Sequence, residues 1–327
     1  MDFNIDFVVT WVDGSDPQLI SKRKPFLKEE SDERFRDYGI FKYWFRAVEK
    51  YAPWVHKIYL ITDNQLPRWF NRDAEKVVVV DHTDIIAEKY LPTFNSNVIE
   101  LSINNIAGLA EHFVVFNDDI FLNDYVRPDD FFDMRTGLPK DIAAQNVIMP
   151  IEDFDHITAN NVITVNRRFN KKRVMLKAPF KYFNLKYGYW NVLSLCLLPW
   201  PRFTRFVDPH IPFSFTRSSF QRFISDNHDY VERTMRNRFR GTEDVSINGI
   251  RYQELALGNF KPRSYRFGKK YDLTQLQKIE KDIKKGTHKV ICINDTAKVD
   301  AATFDSSTQR LRELYGLKFA EKSAFEL

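Results

Sequence analysis

The first 122 residues alternate between short apolar runs and polar, acid-containing turns. The runs are Asp6–Val12, Lys57–Thr62, Lys76–Val80 and Phe113–Leu122. Continuous apolar runs of this length predict strands buried on both faces, the pattern of a parallel sheet. Helical spacing fills the intervals. Phe41, Trp44, Phe45 and Val48 recur across Ile40–Tyr51 and predict a stripe facing the core. Leu19–Glu30 reads as a charged helix and Pro67–Phe70 as a short one opened by proline. Thr83 is placed to cap one helix. Ser96 or Asn97 is placed to cap another, running to Leu109 with Ile99, Ile103 and Ile106 inward. Strand–helix alternation of this kind predicts βαβ units.

After Leu122 the texture changes. Tyr125–Gly137 reads as an excursion rich in Asp, Arg and Pro, and Asp141–Val165 as strand-like pieces with polar breaks. Arg167–Arg173 carries five basic residues in seven and reads as a solvated face. Pro179–Phe206 is dense in aromatics around Val192–Leu198, which is too short to span a bilayer. Buried core is the favoured reading of Val192–Leu198, and a surface patch for lipid or a partner is the alternative. Pro212 makes His210–Phe215 a rigid turn. An amphipathic basic helix (Leu273–Lys285), a last buried strand (Val290–Ile293) and a C-terminal helix around Thr308–Tyr315 follow. The expected fold is α/β, a Rossmann-like, mostly parallel sheet with a large aromatic-rich insertion. The expected division is an α/β half at 1–124, an inserted region at 125–206, a half completing the sheet at 207–300, and a helix and tail at 301–327.

Composition narrows the setting. The chain has 327 residues and is 43% hydrophobic, enough for a substantial core. Cys196 and Cys292, its two cysteines, have no metal-binding spacing, and a reduced cytoplasmic compartment is the default expectation. The start, Met1-Asp2, lacks the basic region of a signal peptide. The net charge of +5 suits phosphates or a lipid surface and argues against nucleic acid as a partner.

Candidate chemistry clusters at the strand ends. Phe113–Phe116 runs into Asn117, Asp118 and Asp119, and Val290–Ile293 runs into Asn294 and Asp295. Open α/β sheets bind ligands at the carboxyl ends of their strands. Adjacent acids are costly to bury alone, so they should hold a cation or meet solvent in a cleft. Mg²⁺ favours one or two carboxylates plus substrate phosphate oxygens, which suggests a metal-assisted site for a phosphorylated donor. An acidic turn with no ligand is the bland alternative. Asp13-Gly14-Ser15-Asp16-Pro17 ends the first strand, either as a nucleotide-side loop or simply as a good turn. His210 is a candidate for proton transfer. Arg233, Arg236, Arg238 and Arg240 could grip phosphate or pair with Glu243 and Asp244.

Four blocks together resemble the Stealth family: Ile5–Pro17; Arg36–Leu122; His210–Phe215 with Phe239–Asp244; and Ile291–Thr296. The family includes bacterial capsular-polysaccharide hexose-1-phosphate transferases and the catalytic part of the lysosomal-enzyme N-acetylglucosamine-1-phosphotransferase. The resemblance implies transfer of a hexose-1-phosphate from a UDP-sugar to an oligosaccharide or lipid-linked glycan, with a phosphodiester formed and UMP released. It implies His210 as general base, Arg240 as the phosphate-gripping arginine and Asp119 as a catalytic acid. Asp118, Asp119, Asn294 and Asp295 would hold Mg²⁺ or Mn²⁺. Trp11, Asp13, Gly14 and Asp16 would line the nucleotide side, and Glu100 would serve the sugar or support a neighbour. Capsule or exopolysaccharide synthesis, in the cytoplasm with peripheral contact at the inner membrane face, is the expected setting. The rival readings are a metal-dependent glycosyltransferase releasing UDP and a non-catalytic glycan-binding protein.

Overall fold

The computed structural model describes residues 3–26, 37–152, 154–295 and 299–327. Its strands, in chain order, are β1 (Ile5–Thr10), β2 (Ile58–Thr62), β3 (Val77–Asp81), β4 (His112–Asn117), β5 (Ile120–Leu122), β6 (Lys140–Asp141), β7 (Phe213–Thr216), β8 (Lys261–Pro262), β9 (Gly268–Asp272) and β10 (Val290–Asn294). The central sheet has the order β3-β2-β1-β4-β7. Its first four strands are parallel, and β7 closes one edge antiparallel to β4. The expected Rossmann-like α/β fold is therefore present.

β1 lies between β2 and β4, and alternate residues enter opposite cores. Phe7 and Val9 pack with the helix Phe41–Tyr51, while Val8 packs with Val98 and Leu101 on the other face. Cover on both faces explains why the strands read as unbroken apolar runs. The stripe Phe41, Trp44, Phe45 and Val48 is buried as its spacing requires.

A second sheet, β5-β10-β9, stands beside the first. β10 runs antiparallel to β5 and parallel to β9. The run Phe113–Leu122 is thus not one strand. It breaks at Asp118-Asp119 and crosses from one sheet to the other, because two consecutive acids cannot both sit in an apolar layer.

Several local expectations change. Asp81, not Thr83, caps the helix His82–Ile85: its carboxylate accepts from the Thr83 N–H at 2.9 Å, and Asp84 bonds back to the Asp81 N–H. Asn95 caps the helix Ser96–Leu101. That helix stops short of Leu109, tightening into a 3₁₀ turn at Ile103–Asn105. Pro67–Phe70 is a turn closed from the Phe70 N–H to the Pro67 carbonyl. The predicted helix Leu19–Glu30 is seen as Pro17–Arg23 plus a 3₁₀ turn at Lys24–Phe26. Its continuation, residues 27–30, lies outside the described residues, as do Arg36 and Thr296 of the quoted blocks.

The largest differences fall between β5 and β7. Asp141–Val165 is not a set of strand pieces but contains the helix Phe154–Arg168. Its Val and Thr residues favour strands locally, yet Ile157, Asn161, Val162 and Val165 share one helical face against the core. This region has a hydrophobic cluster of its own, built from Ile142, Val162, Tyr182, Tyr187 and Phe206 with Tyr252 and Leu255. Val192–Leu198 is mostly not core: Val192 is 66% and Leu195 60% exposed, while Ser194 and Leu197 are buried. Among the described residues no helix is long and apolar enough to cross a membrane.

Candidate active site

Thr10 of β1 pairs with Asn117 of β4, so the two chains leave the central sheet side by side. From β1 emerges the turn Asp13–Asp16. The Asp13 carboxylate accepts from the Ser15 N–H at 2.9 Å and hydroxyl at 2.6 Å, and Asp16 accepts from the Gln18 N–H at the start of the helix Pro17–Arg23. Gln65 ties the turn together. It accepts from the Asp13 N–H at 2.9 Å and donates to the Asp16 carboxylate at 2.9 Å. Gly14 lies in this turn. Trp11 is buried, stacked on Phe41 with ring centroids 5.7 Å apart, so it supports the loop from within the core.

From β4 emerge Asp118 and Asp119. β10 lies against the start of β5, and the Ile293 N–H donates to the Asp119 carbonyl at 2.9 Å. The Cys292 thiol donates to Asp119 Oδ2 at 3.2 Å, and His210 Nε2 is 3.8 Å from the same oxygen. Asp119 Oδ1 is buried and has no hydrogen-bond partner among the described residues. Burial, then the charges of Asp119 and Asp37, push the Asp118 carboxyl up to about 8. Asp37 is itself raised, by burial and by Asp13. The Tyr38 hydroxyl is buried without a hydrogen-bond partner among the described residues, and its pKa is raised by burial and then by Asp119, Asp295 and Asp118. The two acidic strand tips therefore converge on one cleft. Asn294, beside Asp295, donates to the Asp295 carbonyl at 2.8 Å.

His210 approaches from the segment before β7. Its φ of 48° is left-handed, uncommon outside glycine though histidine is among the residues that tolerate it best. The Asp208 carboxylate holds this conformation by accepting from the His210 N–H at 3.0 Å. Burial disfavours the imidazolium, but the Asp119 carboxylate beside it and the charge of Asp208 outweigh it, and the His210 pKa is raised. The preceding strap is clamped by Arg251, which pairs with Asp141 at 2.5 and 2.8 Å and donates to the Val207 carbonyl at 2.7 Å.

Arg240 arrives on a loop organised by Asp244. The buried Asp244 carboxylate accepts from Asn95 at 2.7 Å, Asn97 at 3.1 Å, Asn237 at 2.7 Å and the Gly241 N–H at 3.1 Å. This joins the Asn95–Asn97 turn to the Phe239–Asp244 segment, more than 140 residues away. The Arg240 guanidinium donates to the Ser96 hydroxyl at 2.6 and 3.0 Å. Glu100, one turn along from Ser96, is buried. Burial raises its carboxyl to about 7, against the opposing pull of Arg240 and His210. Arg240, Glu100, His210, Asp119, Asp118 and Asp295 thus form one electrostatically linked series.

Asp119, His210 and Cys292 each offer a ligand atom within 4.8 Å of the others. The residues fit a divalent cation. Among the described residues one buried carboxylate oxygen has no donor, and a neighbouring carboxyl is driven toward protonation by burial and by the acids beside it. Tyr38, Asp37, Asp208 and Cys292 carry no signal in the sequence. Cys292 reaches the site because it pairs with Ile120 across two strands far apart in the chain.

Residues 3–31 match the family model for Stealth protein CR1, conserved region 1, and residues 34–139 match that for Stealth protein CR2, conserved region 2. The chain is 55% identical to the exopolysaccharide phosphotransferase cps2G of Lactiplantibacillus plantarum, over 99% of this chain and 96% of that one. It is 41% identical to the capsular polysaccharide phosphotransferase WcwK of Streptococcus pneumoniae over 98% of both chains. It is 37% identical to the receptor polysaccharide phosphotransferase WefC of Streptococcus oralis over 89% of this chain and 90% of that one. A solved structure of the galactosyltransferase LgtC aligns over 95% of both chains at 12% identity with a TM-score of 0.41, a likeness too slight to add to the sheet order.

Proposed function

This chain belongs to the Stealth family, and from that premise we propose that it is a polysaccharide phosphotransferase that moves a hexose-1-phosphate from a UDP-sugar to a glycan hydroxyl in capsular or exopolysaccharide synthesis. The acceptor oxygen bonds to the phosphorus that carries the sugar. The bond from that phosphorus to the bridging oxygen breaks, and UMP leaves with that oxygen. The acceptor proton goes to His210.

Phosphoryl transfer asks for positioning and charge neutralisation more than covalent chemistry. We assign His210 Nε2 as general base; Asp119, 3.8 Å away, and Asp208 stabilise the imidazolium that proton uptake creates. Arg240, oriented by Ser96, would grip the transferring phosphate through its planar fork. Glu100 lies between these two in charge and would orient the sugar or Arg240. Asp13, Gly14 and Asp16 would face the nucleotide, with Trp11 fixing their loop. Asp118, Asp119, Asn294 and Asp295 would hold Mg²⁺ or Mn²⁺, which when bound supplies positive charge to the diphosphate. Acceptor choice is assigned to residues 125–206.

The approach of Asp119 and Asp295 to Tyr38 and of His210 to Asp119, with a buried Asp119 oxygen that has no donor among the described residues, carries this reading. The test is incubation with a panel of nucleotide-sugars, a glycan acceptor and Mg²⁺ or Mn²⁺, weighing the released nucleotide by mass spectrometry. UMP is expected. UDP would make the chain a glycosyltransferase, and metal-independent glycan binding without release of either would make it a binding protein.

A further inference from the structure

Residues 156–207 contain ten Lys and Arg and neither Asp nor Glu, which leaves 39 basic against 44 acidic residues in the rest of the chain. The positive charge of the protein is therefore carried by one segment of 52 residues. Within it lie three short helices, Lys171–Lys177, Pro179–Tyr182 and Trp190–Cys196.

The last of these helices is inverted relative to a core helix. Tyr189, Val192, Leu195 and Leu198, three residues apart, all point to solvent. The side turned inward includes a polar anchor beside the buried Leu197: the buried Ser194 hydroxyl accepts from the Gln145 N–H at 2.8 Å. Lys171 is likewise buried, donating to the Leu197 carbonyl at 2.6 Å, so the first and last helices are fastened together. The Asn191 side chain accepts from the Asn184 N–H and donates to the Asn184 carbonyl, joining the turn at Leu185 to the start of the last helix. Leu185 is 97% and Phe180 83% exposed on this connected surface. Lys172, Arg173, Lys177 and Lys186 stand exposed among them, and the segment has no carboxylate of its own to neutralise them.

We propose that this face, residues 171–200, docks on an anionic lipid bilayer, its apolar side chains entering the headgroup boundary and its lysines and arginine meeting lipid phosphates. Aromatic and aliphatic side chains interspersed with cations, with no acid among them, are complementary to an anionic bilayer surface. A second copy of this chain is a poorer occupant, because the exposed Lys172, Arg173, Lys177 and Lys186 would meet their own copies. The helix Phe154–Arg168 fixes the insertion beside the Arg240 loop, Asn160 donating to the Thr242 and Asp244 carbonyls at 2.9 Å. The inference stands on exposure and charge and does not depend on the reaction assigned above.

The test is flotation of the full chain with vesicles of phosphatidylcholine alone and mixed with phosphatidylglycerol, at low and high salt. The parent is expected to float with the mixed vesicles, with a preference over neutral vesicles of roughly fivefold per engaged basic residue, weakened by salt. The double variant Val192→Ser/Leu195→Ser should lose roughly tenfold or more in partitioning to either vesicle. Lys172→Glu/Lys177→Glu should lose the preference for the anionic mixture. Circular dichroism and thermal unfolding check that both variants are folded. The proposal is overturned if the parent does not float, or if the variants float as well as the parent. It is also overturned if light scattering shows a dimer that Val192→Ser/Leu195→Ser dissolves.

Discussion

At the carboxyl edge of the central sheet, acids sit among apolar strands; in residues 171–200, apolar side chains sit in water. Both arrangements cost free energy in the isolated chain. The acidic edge concentrates negative charge around an Asp119 oxygen that no donor among the described residues reaches. The insertion concentrates positive charge around exposed leucine, valine and phenylalanine. Each lacks a complement, and the complements differ: a cation with a phosphorylated donor for the first, an anionic surface for the second. A protein folding for stability alone would have no reason to keep either. The contrast separates phosphate chemistry from docking and predicts that substitutions at the acidic edge spare docking.

The sharpest way to break that separation is Asp119→Asn. The amide keeps the volume and the main-chain bond to Ile293 but removes a full charge from the place where the strand tips meet. Turnover of a soluble acceptor should fall by roughly 10³-fold or more, because several kcal/mol of charge stabilisation are lost. Thermal unfolding should move little, and vesicle flotation not at all. Calorimetric titration with Mn²⁺ should show weakened binding in the variant. Unchanged turnover would remove Asp119 from the chemistry, and a loss of flotation would show that the regions are not independent.

A smaller effect comes from Glu100→Gln, through pH. The carboxyl is buried and held up to about 7, against 4.5 for an ordinary glutamate. Between those values the folded state keeps its proton while the unfolded state gives it up. Stability therefore falls as pH rises from about 4.5 to 7, then stays at the lower level. The full shift corresponds to on the order of 3 kcal/mol. The substituted amide has no proton to lose, so the metal-free variant should match the parent near pH 4.5 and melt several degrees higher near about pH 8. An offset of the same size at both pH values would mean that burial and charge at Glu100 are not coupled as the geometry requires.

How legible each region was follows from the same contrast. β1, β2, β3, β4 and β10 could be read from apolar runs because both faces of each are covered. The acids at their ends were visible as interruptions. The meeting of Asp119 with Cys292 was not, since strand pairing between residues 173 positions apart leaves no trace in local spacing. β7 was hidden by Pro212, which suggested a turn where a strand begins one residue later. Arg240 could be named from a resemblance, but its seat depends on Asp244 collecting donors from two distant segments. In the insertion, hydropathy gave the right residues and the wrong side: Val192, Leu195 and Leu198 look like core until Ser194 is found facing inward. An apolar run reports affinity for a non-aqueous environment and does not say whether that environment is the protein's interior or something outside it.

The smallest expected effect tests that last point on two adjacent residues. Ser194→Val should cost about 1–3 kcal/mol, because the buried Gln145 N–H loses the hydroxyl that accepts from it at 2.8 Å. Leu195→Ser should change stability by no more than about 0.5 kcal/mol, since the side chain it replaces is already 60% exposed. In an ordinary amphipathic helix the order would be reversed, with the leucine costly and the serine free. Urea unfolding of the two variants decides between them. If Leu195→Ser is the more damaging, that leucine is buried in solution and the helix is core. If Ser194→Val is the more damaging, the helix turns its apolar side outward by construction, and the stability of the chain is indifferent to residues that only an external surface could use.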